Sequence, residues 1–351
     1  MLLRSEQSGR TKGSPRESFV TSAPTSAKVR RVLGIDVGGT AIKSALLVDG
    51  DVAGSDNATT PRGGPEQVVQ EIVALYRRWA PLDALGVAVP AVVDPVAGVV
   101  SVAPNLPGNW AGFALGPALE ARMGQHVVLA NDARCFALGE LRLGSARGCR
   151  DVIFVTLGTG VGGAVAVEGD IYLGSNGLAG ELGHQTIDPE GMVCGCGNRG
   201  CVETVASGSA VVAATVRGLR QGVPSVLRAT WQEGRSRLSA ADVAMAAAEG
   251  DIFAAEVMAG AAHGLGIGLA NLSVVLAPER IVIGGGLGQA LGVLLKPLEA
   301  VLAEHLHLWP PCPVVGSALG LLAGAVGAAL WAMEHDGQCH HVPQLRMGAS
   351  P

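Results

Sequence analysis

Aromatic residues make up only 3% of this 351-residue chain and charged residues 16%, and neither sign of charge dominates, with 25 Lys and Arg against 30 Asp and Glu for a formal net charge of −5. A chain whose main partner is nucleic acid ordinarily carries a broad basic face, so this balance gives that class no support. Residues 1–30 contain no apolar run long enough for the core of a secretory signal. Rich in Ser, Thr, Arg, Gly and Pro, they read as a disordered leader, and 336–351 read as a flexible tail. Cysteines are 7, an odd number, and three sit in one loop, which suits a reduced, cytoplasmic chain better than a disulfide framework. The one long apolar run, 316–333, touches the lower limit for a membrane span. Its small Gly and Ala residues suit instead a helix packed closely on a sheet, so no membrane partner is expected.

Glycine is abundant, with 51 residues, and implies many tight turns and close backbone approaches. Hydrophobic residues are 48% of the chain, enough at this length for two domains with substantial cores.

The densest chemistry lies in 180–203, GELGHQTIDPEGMVCGCGNRGCVE. Cys194, Cys196 and Cys201, separated by glycines, can fold into a knuckle, and His184 would supply a fourth ligand. Three thiolates and an imidazole make the closed tetrahedral set of structural Zn²⁺, with no position left for a catalytic water. Reduced thiols or a disulfide pair in a glycine-rich loop are the alternative. Glu181 and Glu203 flank the cluster.

Elsewhere, apolar strands end repeatedly in glycine turns. At 32–50 an apolar run enters Asp36-Val37-Gly38-Gly39-Thr40, and a second run ends at the hairpin signal Asp49-Gly50. The main-chain amides of such a turn can meet an anion and Asp36 can hold a magnesium ion or its water, although a plain hairpin has the same sequence. Lys43 reads as a solvated charge. A helix is expected over 66–79 behind Pro65, then a strand over 85–89, a second over 98–102, and a rigid loop, APNLPGNW, which presents Asn105 to a ligand or merely connects. The strand 127–130 ends in Asn131 and Asp132 before a helix-like stretch through Leu143. Polar residues at that place face the ligand crevice of α/β folds, while an Asp there is equally suited to cap the helix. A second glycine turn follows the strand at 151–157, offering Thr156, Gly158, Thr159 and Gly160. Mostly helical sequence over 208–276 leads to a third such turn in PERIVIGGGLG at 278–288.

Together, DVGGT at 36–40, LGTGVGG at 157–163, GELGH at 180–184, CGCGNRGCVE at 194–203 and IVIGGGLG at 281–288 resemble the ROK family of repressors and sugar kinases, from about residue 32 to about 329. The resemblance implies an α/β protein of actin-like ATPase (ribonuclease H-like) fold, two α/β domains around a cleft. The first would span 31–148, completed by a C-terminal helix at about 317–335, and the second 149–316 with the zinc loop. It implies an ATP-dependent kinase for the 6-hydroxyl of glucose, using ATP, Mg²⁺ and structural Zn²⁺. Asp36, Gly38, Gly39, Thr40, Thr156, Gly158, Thr159, Gly160, Gly284, Gly285 and Gly286 would hold the nucleotide. Asn105, Asn131, Asp132, Glu181, His184 and Glu203 would line the sugar pocket, with Asp132 the general base. A homodimer or higher homo-oligomer is the family's habit.

Three departures stand out: Ala91 in place of glycine after proline, Asn109 inserted between Gly108 and Trp110 beside Asn105, where it bears on sugar preference, and Ala164 closing the second glycine turn. Kinases for N-acetylmannosamine, N-acetylglucosamine or fructose use the same carboxylates and histidine, and polyphosphate is an alternative donor to ATP. A sugar-responsive regulator of this family carries a winged helix-turn-helix ahead of the sugar domain, for which 1–30 offers neither the length nor the apolar periodicity.

Overall fold

The computed structural model describes residues 30–103, 105–232, 238–310 and 312–335. The expected leader, apart from Arg30, and the expected tail lie outside the described residues.

The chain begins with a meander of β1 (Arg31–Val37), β2 (Ala41–Val48) and β3 (Asp51–Thr59). Asp49 and Gly50 take φ 53° and 92° between β2 and β3, the left-handed pair that a two-residue hairpin turn requires. β3 forms the outer edge and alternates between exposed and half-buried residues, which is why its polar sequence carries no apolar signature. Helix α1 (Pro65–Trp79), strands β4 (Ala84–Val89), β5 (Val92–Asp94) and β6 (Val99–Val102), helix α2 (Leu115–Met123), strand β7 (Val128–Asn131) and helix α3 (Asp132–Leu143) follow. The first sheet runs β3-β2-β1-β4-β7, with β1, β4 and β7 parallel.

Strand alternation divides its two faces. Leu33 and Ile35 of β1 and Val87 of β4 pack with Val68, Ile72 and Leu75 of α1 on one face. On the other, Val32, Ala45, Ala84 and Ala88 meet helix α10 (Ala323–His335) from the far end of the described chain. That contact is backbone-close, since a Cβ on Gly34 would stand 1.8 Å from the Ala325 carbonyl oxygen, and one on Gly86 1.9 Å from that of Ala328.

The second sheet is built from β8 (Val152–Leu157), β9 (Val161–Val167), β10 (Asp170–Ile171), β11 (Arg280–Gly284) and β12 (Val314–Gly316), in the order β10-β9-β8-β11-β12. Counted within each sheet, the two orders are the same: third, second, first, fourth, fifth. The meander of the first three strands and the parallel fourth and fifth also recur. Two α/β lobes of this topology form the actin-like, ribonuclease H-like architecture. Helices α4 (Glu203–Ala206), α5 (Gly208–Arg220), α6 (Leu227–Gln232), α7 (Ala240–Ala248), α8 (Ile252–Leu276) and α9 (Leu291–His305) pack against the second lobe.

The apolar run at 316–333 is not one helix. It holds the end of β12, a 3₁₀ turn at Gly320–Leu322 with Gly320 at φ 56°, and then α10, which starts at Ala323 and has 13 residues, too few to cross a bilayer. Helix α8, with 25 residues and mean hydropathy 1.5 over its most apolar window, is long and apolar enough for that by composition, and half of that window is buried inside the protein, where α8 packs on α4, α7 and α9. The turn ahead of α10 is clasped by Glu140 of α3. This fully buried carboxylate accepts hydrogen bonds from Ser145 N (2.7 Å), Ser317 Oγ (2.6 Å), Ala318 N (3.1 Å) and Leu319 N (2.9 Å), which replace the water it loses.

Candidate active site

Because the two sheets share one topology, the turns after β1 and after β8 occupy equivalent places, and both open on one cavity of about 310 Å³. Parallel strands of α/β sheets present their carboxyl ends to ligands, and here β1, β7, β8 and β11 do so together. Asp36, Gly38 and Gly39 come from the first turn, Asn131 and Asp132 from the end of β7, and Thr156, Gly158, Thr159 and Gly160 from the second turn. Gly285 and Gly286 come from the turn after β11, and Asn105, Glu181, His184 and Glu203 complete the lining.

Two expected nucleotide residues are not in this wall. Thr40 turns its carbonyl to Thr60 N at 3.0 Å, as a hairpin residue. Gly284 still belongs to β11, and a Cβ there would stand 2.3 Å from the ring of Phe136, so its smallness serves packing. Lys43, read from sequence as a solvated charge, is in fact Asp36's cross-strand partner, with Nζ 3.4 Å from Oδ2, and it lines the cavity. Asn109 is exposed and its Oδ1 accepts from Ala111 N at 3.1 Å; it does not line the cavity, whereas Ala91 does.

The ambiguity at the start of α3 is resolved by Asn131. Its side chain caps the helix, accepting from Arg134 N at 3.2 Å, and Asp132 falls one position later. Freed from capping, the Asp132 carboxylate accepts from Ala133 N at 2.8 Å and borders the cavity. Burial pushes its pKa up to about 7, assisted by the negative charges of Asp36 and Glu181 and opposed by the Ala133 amide. Burial likewise raises Asp36, against the pull of Lys43. Arg134, two residues on, has its guanidinium pKa lowered by burial, with Glu181, Cys135 and Asp132 opposing.

Glu203 joins two parts of the site. Its Oε2 accepts from Val161 N at 2.9 Å, a Cβ on Gly160 would stand 2.3 Å from that oxygen, and its Oε1 is 3.8 Å from Cys194 Sγ. The second glycine turn therefore rests on the carboxylate that follows the cysteine knuckle.

The ligand atoms of His184, Cys194, Cys196 and Cys201 all lie within 4.8 Å of one another. Tetrahedral zinc with ordinary Zn–S and Zn–N bonds separates two sulfurs by about 3.8 Å and a sulfur from a nitrogen by about 3.6 Å. Cys196 Sγ and Cys201 Sγ stand 3.7 Å apart, and Cys194 Sγ is 3.6 Å from His184 Nδ1, so the donor set fits that ion. The chain must turn sharply to close it. Gly200 does so at φ 61°, where a Cβ would lie 1.5 Å from the Asp188 carbonyl oxygen.

Sequence reasoning missed several wall residues. Phe136 lies one helical turn beyond Asp132, and that spacing is the signal that could have found it. Gly320, Leu321 and Gly324 border the cavity from the turn before α10 and its first residues, where a run of small apolar residues offers no chemical signal.

Two lobes of repeated topology, with paired glycine turns opening on one cavity beside a half-buried aspartate, place the molecule in the two-lobed actin-like class of α/β proteins. Within it, the chain belongs to the ROK family, matched over residues 32–335. It is 37% identical over 315 residues to a glucokinase of Halalkalibacterium halodurans, covering 85% of this chain and 93% of the relative. It is 34% identical over 305 residues to an N-acetylmannosamine kinase of Yersinia pseudotuberculosis, covering 86% and 97%. Among solved structures, a ROK family glucokinase from Streptomyces griseus in complex with glucose and AMPPNP aligns with a TM-score of 0.76 at 32% identity, over 87% of this chain and 99% of that one.

Proposed function

We propose that this protein is an ATP-dependent hexose kinase of the cytoplasm that phosphorylates the 6-hydroxyl of glucose. The observation that carries the reading is Asp132: a half-buried carboxylate on the cavity wall, relieved of capping by Asn131, whose surroundings push its pKa up to about 7. A general base is most effective when its pKa lies near the working pH.

In this mechanism Asp132 takes the proton of the sugar 6-hydroxyl as that oxygen attacks the γ-phosphorus in line. Glu181, Glu203, Asn105 and Asn131 accept or donate hydrogen bonds to the remaining hydroxyls and fix the ring's register. The amides of the turns after β1 and β8 meet the phosphates, and Lys43 adds a positive charge at the same wall. Mg²⁺ bound with the nucleotide would supply charge neutralisation on the phosphate oxygens, and Asp36, half-buried with Lys43 Nζ 3.4 Å from its Oδ2, is the residue suited to hold it or its water. Closure of the lobes excludes water as a competing acceptor.

Structural zinc on His184, Cys194, Cys196 and Cys201 would order the knuckle and fix the imidazole through Nδ1, leaving Nε2 for a sugar hydroxyl. Kinship at similar identity with an N-acetylmannosamine kinase keeps that sugar as the second reading.

The test is ADP release with MgATP across glucose, fructose, N-acetylglucosamine and N-acetylmannosamine, with polyphosphate as a second donor. Preference for glucose with ATP supports the proposal. Preference for another hexose reassigns the substrate, and binding of a sugar without turnover on any of them moves the protein to a regulatory role.

A further inference from the structure

Arg134 belongs to the first turn of α3, two residues after Asp132, yet it does not border the cavity. Its Nη2 donates to the carbonyl oxygen of Gly177 and stands 3.5 Å from that of Ala179. Both carbonyls lie in the stretch between β10 and the 3₁₀ turn Leu182–His184, and that stretch delivers Glu181 to the cavity. Its backbone is turned by Gly174, Gly177 and Gly180 at φ 70°, 73° and 92°. Glycine holds such angles without strain but also leaves the chain free to take others. Within the stretch, Ala179 N donates to Leu173 O at 3.2 Å and Leu178 N to Asn176 Oδ1 at 3.2 Å. A half-buried guanidinium from another element adds a tie of a different kind, because it connects this glycine-rich stretch to the helix that carries the general base.

We propose that Arg134 is a positioning residue for sugar binding: from the helical turn that bears Asp132, it holds the Gly177 and Ala179 carbonyls and so sets where Glu181 stands relative to Asp132. This rests on the kinase reading of the site. The guanidinium touches neither the reacting atoms nor the cavity, so its loss acts on the register of the sugar and leaves the phosphate side alone. Lysine at this position keeps the charge but carries it on a flexible ammonium instead of a rigid planar group whose Nη2 is aimed at both carbonyls.

The experiment compares the wild type with Arg134→Met and Arg134→Lys in steady-state kinetics with MgATP and glucose, alongside amide hydrogen exchange over residues 173–181. The expected result for Arg134→Met is a KM for glucose raised about tenfold, with kcat and the KM for ATP within about threefold, and faster exchange confined to that stretch. Arg134→Lys falls between the two, and it carries the test if the methionine variant fails to fold. Unchanged KM and unchanged exchange in both variants overturn the proposal, as does a fall in kcat with KM unaltered. Absence of turnover by the wild type on every hexose overturns the kinase reading instead, and exchange then decides the role of Arg134 alone: faster exchange over 173–181 supports the tie, and unchanged exchange removes it.

Discussion

Cys194 Sγ stands 3.6 Å from Nδ1 of His184, so the imidazole that borders the cavity is also the one that faces the thiol cluster. Order in the knuckle and order in this part of the cavity wall are then coupled through one side chain.

Zinc removal should therefore act on sugar binding before it acts on the nucleotide. The purified protein is expected to hold one zinc per chain by elemental analysis. Chelation should lower the melting temperature and raise the KM for glucose well above any change in the KM for ATP, with recovery on adding Zn²⁺. Full activity in metal-free protein would remove the zinc assignment.

Asp132→Asn keeps the volume and the Ala133 contact of the side chain but cannot accept the hydroxyl proton. Turnover should fall by about 10²- to 10⁴-fold, while glucose binding measured by calorimetry stays within a few-fold of wild type. Near-normal turnover would exclude Asp132 as the base.

The pH dependence has a definite sign. With a pKa of about 7, Asp132 is increasingly protonated as pH falls below that value, so kcat/KM should decline on the acid side of about pH 7. Stability runs the other way. The folded state holds this proton at pH values where the unfolded chain, with its ordinary carboxylate pKa of 3.8, has released it. The neutral side chain's advantage is full below the unfolded value and is lost as pH rises through about 7. Asp132→Asn should therefore stabilise the protein by about 2 kcal/mol more at pH 8.5 than at pH 5.5, a difference that paired thermal or urea melts would register. An equal effect at both values would show that Asp132 is not held near neutrality.

Gly86→Ala tests the seat of α10. The added methyl would stand 1.9 Å from the Ala328 carbonyl oxygen, and backbone cannot yield as a flexible side chain can. A loss of about 1–3 kcal/mol in urea unfolding is expected, with a lowered melting temperature. A neutral outcome would mean that α10 sits farther from β4 than its glycines imply.

What could be read in advance depended on how local the signal was. Cys194, Cys196, Cys201 and His184 are close in sequence, and their spacing alone brought them together. Asp132 was visible because it follows an apolar strand, although its freedom from capping depends on which way Asn131 turns. Glycine strings were legible as turns but not residue by residue: Thr40 and Gly284 belong to the right segments but do not border the cavity. The Asp36–Lys43 pair follows from hairpin register once β1 and β2 are paired across the turn, a step that composition does not supply. The tie from Arg134 to Gly177 crosses 43 positions between a helix and an irregular stretch, and no periodicity connects the two.

The placement of α10 has a consequence for how the chain is made. A ribosome releases β1, β2, β4 and β7 long before residues 323–335, so the face of the first sheet formed by Val32, Ala45, Ala84 and Ala88 waits uncovered while the whole second lobe is synthesised. The first lobe to emerge is thus the last to be finished. Stalling or nicking between β12 and Ala323 would leave a chain with every site residue of the glycine turns and the knuckle but a bare sheet beneath Asp36, a species for chaperones or proteases to collect.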